Sequence, residues 1–130
     1  MKRVLIADDE PIERMIVTRT IQKYFPEELA VVSAVNGREA VEQFFAENCQ
    51  IALLDIEMPG MNGLEAAEQI RERDKNCSII FLTAFDEFNY AKRAIAVRAM
   101  EYLLKPVEDQ ELEAVLAEAI RIADEHTDDR

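Results

Sequence analysis

At 130 residues, with 49% hydrophobic and 32% charged side chains, the chain has the size and composition of one globular domain rather than a disordered segment. Its 27 acidic residues outnumber 15 basic ones, a formal charge of −12 that repels nucleic-acid phosphates and anionic lipid and so argues against direct DNA binding by this segment. No apolar run approaches the ~20 residues a membrane helix needs, and residues 1–8 turn polar too soon for a secretory signal, so a cytoplasmic location is expected.

In chain order, the first apolar run covers residues 4–7 and ends in Asp8-Asp9. Pro11 suits the first turn of a helix whose apolar stripe is Ile16, Val17, Ile21 and Tyr24. Residues 29–35, interrupted by Ser33, read as an edge strand. Residues 51–54 are apolar throughout and end in Asp55. Met58-Pro59-Gly60-Met61-Asn62-Gly63 is loop chemistry, with the third helix starting about Gly63. The run 79–82 leads into Thr83, and the mixed run 102–104 into Lys105-Pro106. Leu112, Val115, Leu116, Ala119, Ile120 and Ala123 form the clearest helical stripe, and Glu108, Asp109 and Glu111 favour the positive end of its dipole. From Asp124 the residues are polar, so the domain is expected to span 1–123, with 124–130 a frayed tail or the start of a linker.

Cys49 and Cys77 lack metal-type spacing and read as free thiols, and His126 reads as a solvated side chain in a polar tail. A lone histidine there argues against zinc hydrolysis and against a Ser-His-Asp triad.

Unbroken apolar runs alternating with amphipathic helices predict a (βα)₅ chain, a doubly wound three-layer α/β/α sandwich on a parallel sheet with right-handed crossovers. Ligands in such sheets sit at the carboxyl ends of the strands. Asp8, Asp9, Asp55, Thr83 and Lys105 all follow strands, so they would converge there. Any one of them alone reads as a helix cap or a surface side chain. Together, packed carboxylates need a cation to relieve their repulsion, and hard oxygen ligands with room for water suit Mg²⁺.

Asp9 and Asp55 would then ligate directly, Asp8 through a coordinated water, and the Glu57 backbone carbonyl could also reach the ion. Asp55 is placed to attack phosphorus and form an acyl phosphate. Lys105 would neutralise charge on the transferring oxygens and Thr83 would donate a hydrogen bond to one of them. A cis peptide at Lys105–Pro106 would aim the ammonium inward.

Four strings carry a resemblance across nearly the whole chain to about residue 123. They are Val4-Leu5-Ile6-Ala7-Asp8-Asp9-Glu10, Leu53-Leu54-Asp55-Ile56-Glu57-Met58-Pro59-Gly60-Met61-Asn62-Gly63, Leu82-Thr83-Ala84 and Tyr102-Leu103-Leu104-Lys105-Pro106. In this order they resemble receiver domains of two-component response regulators. The resemblance implies a flavodoxin-like fold of strand order 2-1-3-4-5 and a phosphohistidine donor on a sensor histidine kinase. It also implies a switch in which Thr83 moves toward the phosphoryl oxygen and Tyr102 rotates, reshaping the face made by the fourth helix, fifth strand and fifth helix (the α4-β5-α5 face), where partners or a second copy dock.

The string from Thr83 to Ala91 resembles receivers that precede an AraC-type helix-turn-helix output domain, implying transcriptional control through a domain not in this chain. The basic residues that pair across the dimer face in the winged-helix branch are not evident, Glu113 and Glu118 standing on the fifth helix among few positive neighbours, so a phosphorylation-dependent homodimer through that face is left open but not expected. Two departures stand out. Arg98 replaces a common Gly after the fourth helix, requiring a left-handed turn or a different helix end. Phe85, with Glu57, flanks the approach of hydrolytic water and is expected to prolong the phosphorylated state.

Three other readings fit these residues less well. A flavodoxin needs a phosphate-cradling loop after the first strand, and Asp8-Asp9-Glu10-Pro11 would repel a flavin phosphate. A phosphatase with an Asp nucleophile usually carries Asp-x-Asp, where this chain has Asp55-Ile56-Glu57. A receiver-like docking module working without phosphate usually lacks one of the five site residues, all of which are present. Apart from catalysing its own phosphoryl uptake and hydrolysis, no enzyme activity is expected.

Overall fold

A computed structural model describes residues 1–128, with side chains through His126. Five strands, β1 (Lys2–Ala7), β2 (Leu29–Ala34), β3 (Ile51–Leu54), β4 (Ser78–Thr83) and β5 (Glu101–Leu104), alternate with α1 (Pro11–Tyr24), α2 (Gly37–Ala46), α3 (Gly63–Arg73), α4 (Phe88–Ala96) and α5 (Asp109–Asp128). All pairs are parallel, in the order β2-β1-β3-β4-β5. This is the flavodoxin-like sandwich that the apolar runs and the resemblance imply.

The sheet separates two cores. On one face Leu5, Ala52, Leu54, Ile79 and Phe81 pack with Phe44 of α2, Leu64 and Ile70 of α3 and Ala94 of α4. On the other, Val4, Ile6, Ile51, Leu53, Ile80 and Leu82 meet Val17 and Ile21 of α1 and Leu112 and Leu116 of α5. Alternate residues of each central strand thus serve opposite faces, which is why the runs are unbroken. Each fully buried Leu, Ile or Phe contributes roughly 1.5–3 kcal/mol.

The predicted α1 stripe is only partly inward: Val17 and Ile21 are buried, but Ile16 is exposed. In α5 the stripe holds, with Leu112, Leu116, Ala119 and Ala123 buried. That helix does not stop where its polar run begins at Asp124 but continues to Asp128, while residues 129–130 lie outside the described residues. Both cysteines are free and buried, and His126 is exposed.

Two glycines interlock the loops beneath the site. Gly37 and Gly63 open α2 and α3, and their N–H groups donate to Met61 O at 3.0 Å and Ile56 O at 2.8 Å. A Cβ on Gly63 would lie 1.9 Å from Asp55 O, and one on Gly37 2.3 Å from Met61 O. A capping box between Asn62 and Glu65 fixes the start of α3 directly behind this contact.

Arg71 of α3 is buried, and backbone carbonyls hold its charge. Nε donates to Val97 O at 2.8 Å, Nη1 to Cys77 O at 2.8 Å and Nη2 to Arg98 O at 3.2 Å. Arg98 adopts φ 55°, so the chain takes the left-handed turn despite its Cβ. The guanidinium bonded to the carbonyls on either side of that turn helps to hold it.

Candidate functional site

Three site residues extend the sheet by one ladder step beyond their strands. The N–H groups of Asp8, Asp55 and Lys105 donate to Ala34 O (3.1 Å), Ala7 O (2.9 Å) and Thr83 O (2.8 Å). The alternation that sends Ile6, Leu53 and Leu103 toward α1 and α5 therefore carries to Asp8, Asp55 and Lys105 two residues on. Thr83 follows Ile79 and Phe81 instead, toward the opposite face, and is fully buried.

The result is one ammonium among carboxylates. Lys105 Nζ lies 2.8 Å from Asp8 Oδ2, 3.8 Å from Asp55 Oδ2 and 3.8 Å from Glu13 Oε2. The remaining oxygens of the two aspartates accept backbone N–H groups: Glu10 N to Asp8 Oδ1 at 2.9 Å and Ile56 N to Asp55 Oδ1 at 2.8 Å. Arg14 Nη1 donates to the Asp8 carbonyl at 2.7 Å. The Lys105–Pro106 peptide is cis.

Burial pushes the Asp55 carboxyl up to about 6, with Asp8 adding to the rise and Lys105, the Ile56 N–H and the Thr83 hydroxyl opposing it. Burial alone would lower Lys105, but the Asp8 hydrogen bond and the Asp55, Asp8 and Glu13 charges outweigh it and raise the ammonium above its ordinary value.

The donor set suits a hard divalent cation. Carboxylate oxygens of Asp8, Asp9 and Glu10 all lie within 4.8 Å of one another. Asp8 and Asp55 already share a cation, the Lys105 ammonium. Asp9 and Glu10 are exposed, which leaves room for water ligands. Asp55 stands outside the Asp8-Asp9-Glu10 cluster and joins it through Lys105.

The other expected residues flank this centre. Glu57 Oε2 accepts the Tyr90 hydroxyl of α4 at 3.1 Å. Phe85 N donates to Thr83 Oγ1 at 3.3 Å, and the Tyr102 hydroxyl donates to Phe85 O, so the Thr83 and Tyr102 side chains hold the two sides of one backbone residue. Tyr102 is half-buried, its ring 6.2 Å from that of Phe81.

Sequence reasoning missed Glu13, Arg14 and Tyr90. The signal for Glu13 and Arg14 is positional, because a helix begun by Pro11 turns its first residues back over the strand ends. A cavity of about 540 Å³ lies at the opposite end of the sheet, lined by segments 48–50 and 74–77, which precede β3 and β4, and by Ser78. It collects no residue from the carboxyl ends of the strands. Burial pushes its Cys49 and Cys77 thiols up to about 11 and 12, leaving them protonated.

Residues 4–117 match the response regulator receiver domain family. The chain is 41% identical over 118 residues to the positive alginate biosynthesis regulatory protein of Pseudomonas aeruginosa, an alignment covering 91% of this chain and 47% of that one. It thus spans about half the length of that relative. Among solved structures it is similar to the response regulator TrrA of Thermotoga maritima in complex with Mg²⁺ and BeF, with TM-score 0.81, 38% identity, and coverage of 92% of this chain and 99% of that one. The REC domain of AraT, a response regulator from Geobacillus stearothermophilus, gives TM-score 0.85 and 35% identity over 97% of this chain and 98% of that one.

Proposed function

The chain belongs to the response regulator receiver domain family of two-component signalling, and on that premise we propose that Asp55 accepts a phosphoryl group from a sensor histidine kinase beside a bound Mg²⁺. One observation carries the reading: a single lysine ammonium stands among the Asp8, Asp55 and Glu13 carboxylates at the carboxyl edge of the parallel sheet.

Asp55 Oδ1 is occupied by the Ile56 N–H, leaving Oδ2, on the lysine side, as the attacking atom. With its carboxyl at about 6, Asp55 is largely ionised at neutral pH and can attack. A new O–P bond forms as the donor's P–N bond breaks, and the electron pair departs with the imidazole nitrogen. The Lys105 ammonium, 3.8 Å from Oδ2, neutralises the incoming oxygens, and the Thr83 hydroxyl donates to one of them. Asp8, Asp9, Asp55 and the Glu57 carbonyl would hold the ion. When bound, Mg²⁺ neutralises charge on the carboxylates and on the transferring phosphoryl group.

Thr83 and Tyr102 form the switch in this reading, supported by their shared grip on Phe85. Drawing the Thr83 hydroxyl to a phosphoryl oxygen would release the Phe85 N–H and let Tyr102 turn inward. The face that changes is α4-β5-α5, where Phe88 is 81% and Ile95 77% exposed. A partner, an output domain or a second copy would dock there. Transcription through a DNA-binding domain following residues 1–123 is the output proposed, supported by the Thr83–Ala91 string. Among the described residues no helix is long and apolar enough to cross a membrane.

The test is intact mass after incubation with acetyl phosphate, with and without Mg²⁺, followed by borohydride reduction to locate the acyl phosphate. A Mg²⁺-dependent gain of one phosphoryl group mapping to Asp55 is expected. Absence of both this adduct and a beryllofluoride complex would overturn the reading. Replacing Phe85, 39% exposed beside the site, by Ala should speed loss of the phosphoryl group about three- to tenfold, on the order of 1 kcal/mol of barrier. An unchanged dephosphorylation rate would remove Phe85 as a shield against water.

A further inference from the structure

A fourth carboxylate at the site is absent from the expected ligand and acceptor set. Glu13 stands in the first turn of α1, and its side chain, about one-third exposed, meets the Lys105 ammonium. Nζ lies at the same distance, 3.8 Å, from Glu13 Oε2 and from Asp55 Oδ2, while Asp8 holds it at 2.8 Å. Glu13 also lines the small cavity beneath Asp8 and Asp55, together with Ile6, Val17 and Leu53.

We propose that Glu13 is a positioning residue that holds the Lys105 ammonium partway off Asp55, keeping the acceptor oxygen open to Mg²⁺ and to the phosphoryl donor. The inference rests on the reading of Asp55 as phosphoacceptor. The physical reason is a balance of attractions. With Asp8 as the fixed anchor, the ammonium swings between two carboxylates. Without the Glu13 charge, it settles toward Asp55 and closes to hydrogen-bonding distance. A lysine seated there competes for the oxygen that must bind the cation and attack phosphorus. A first-turn glutamate also stabilises its own helix dipole, but that role does not depend on Lys105.

The dependence on Lys105 gives the test, with Mg²⁺ alone as the probe and calorimetric titration as the readout. Glu13→Gln should weaken Mg²⁺ binding about three- to tenfold at low ionic strength, and Glu13→Asp should recover part of it. In a Lys105→Gln background, adding Glu13→Gln should change Mg²⁺ affinity by less than about twofold, since the ammonium it positions is gone. Equal affinity of wild type and Glu13→Gln overturns the proposal, and so does the same loss in both backgrounds, which marks a direct charge effect on the ion. Asp55→Asn separates the two readings: if it binds Mg²⁺ as tightly as wild type, the assignment of Asp55 fails, whatever Glu13 does. Unfolding midpoints of each variant establish that the folded proteins are being compared.

Discussion

Asp55→Asn should take up no phosphoryl group from acetyl phosphate and, in metal-free buffer at pH 7.5, should be more stable than wild type by about 2–3 kcal/mol. The first half follows from chemistry, because an amide oxygen does not form the acyl phosphate. The second follows from burial. The Asp55 carboxyl titrates at about 6 in the fold against an ordinary 3.8, chiefly because burial disfavours its charge and secondarily because Asp8 repels it.

A folded pKa above the unfolded one means the native state binds the proton more tightly. Stability from this group is therefore fully present below about pH 4 and is lost as pH rises through about 6, after which the cost stays constant. Asparagine keeps the shape and can accept the Ile56 N–H without carrying the charge. Urea denaturation in chelator should show the gain at pH 7.5 shrinking toward zero at pH 4, and Mg²⁺ should narrow it by stabilising wild type. A mutant no more stable than wild type at pH 7.5 would mean that Lys105 fully compensates the buried charge.

Gly63→Ala should be the most damaging single methyl in the molecule. The added carbon would stand 1.9 Å from Asp55 O, 2.8 Å from Asp55 C and 3.1 Å from Ile56 Cα. Every one of these is backbone, so no side chain can swing aside to make room. Either the start of α3 moves outward, breaking the Gly63 N–H bond to Ile56 O, or the acceptor segment moves with it. A loss of about 3–4 kcal/mol or more is expected, the range reached by severe overpacking. Thermal unfolding by circular dichroism measures the loss. The fraction that folds should accept phosphate from acetyl phosphate more slowly than wild type, because the same carbon presses on the nucleophile's own peptide group. A variant with wild-type midpoint would show that this loop yields far more easily than its contacts indicate.

Much of this architecture is legible in the residues because buried parallel strands leave a strong mark. Residues 4–7, 51–54 and 79–82 are apolar on consecutive positions, and the polar residue ending each run stands where the sheet edge must be. The same logic brings Asp8, Asp55, Thr83 and Lys105 together without any side-chain geometry. What stays hidden is whatever depends on side-chain packing between elements. Glu13 reads as an ordinary first-turn acid, and only the position of Lys105 makes it part of the site. Arg71 sits in a charged stretch that reads as surface, yet the α4–β5 turn folds over it. The weakest element to read is α4, where Ala94 is the buried residue while Phe88 and Ile95 face outward, so its stripe does not point to the core.

That helix is tied down unevenly. Its C-terminal half is held by an exposed ion pair from Arg93 to Glu68 of α3 and, at its end, through Val97 O and Arg98 O by the buried guanidinium of Arg71, whereas toward its start Tyr90 reaches the loop after β3 by one hydrogen bond at the surface, to Glu57. A rod fixed at one end has a pivot there. Nine residues at about 1.5 Å each give α4 a lever arm of roughly 13 Å. In the proposed switch, a small rotation set off at Glu57 or Thr83 would sweep Phe88 through the longest arc and leave Ile95, beside the pivot, almost stationary. Of the two apolar side chains this helix exposes, Phe88 would then be the moving pointer and Ile95 the fixed reference.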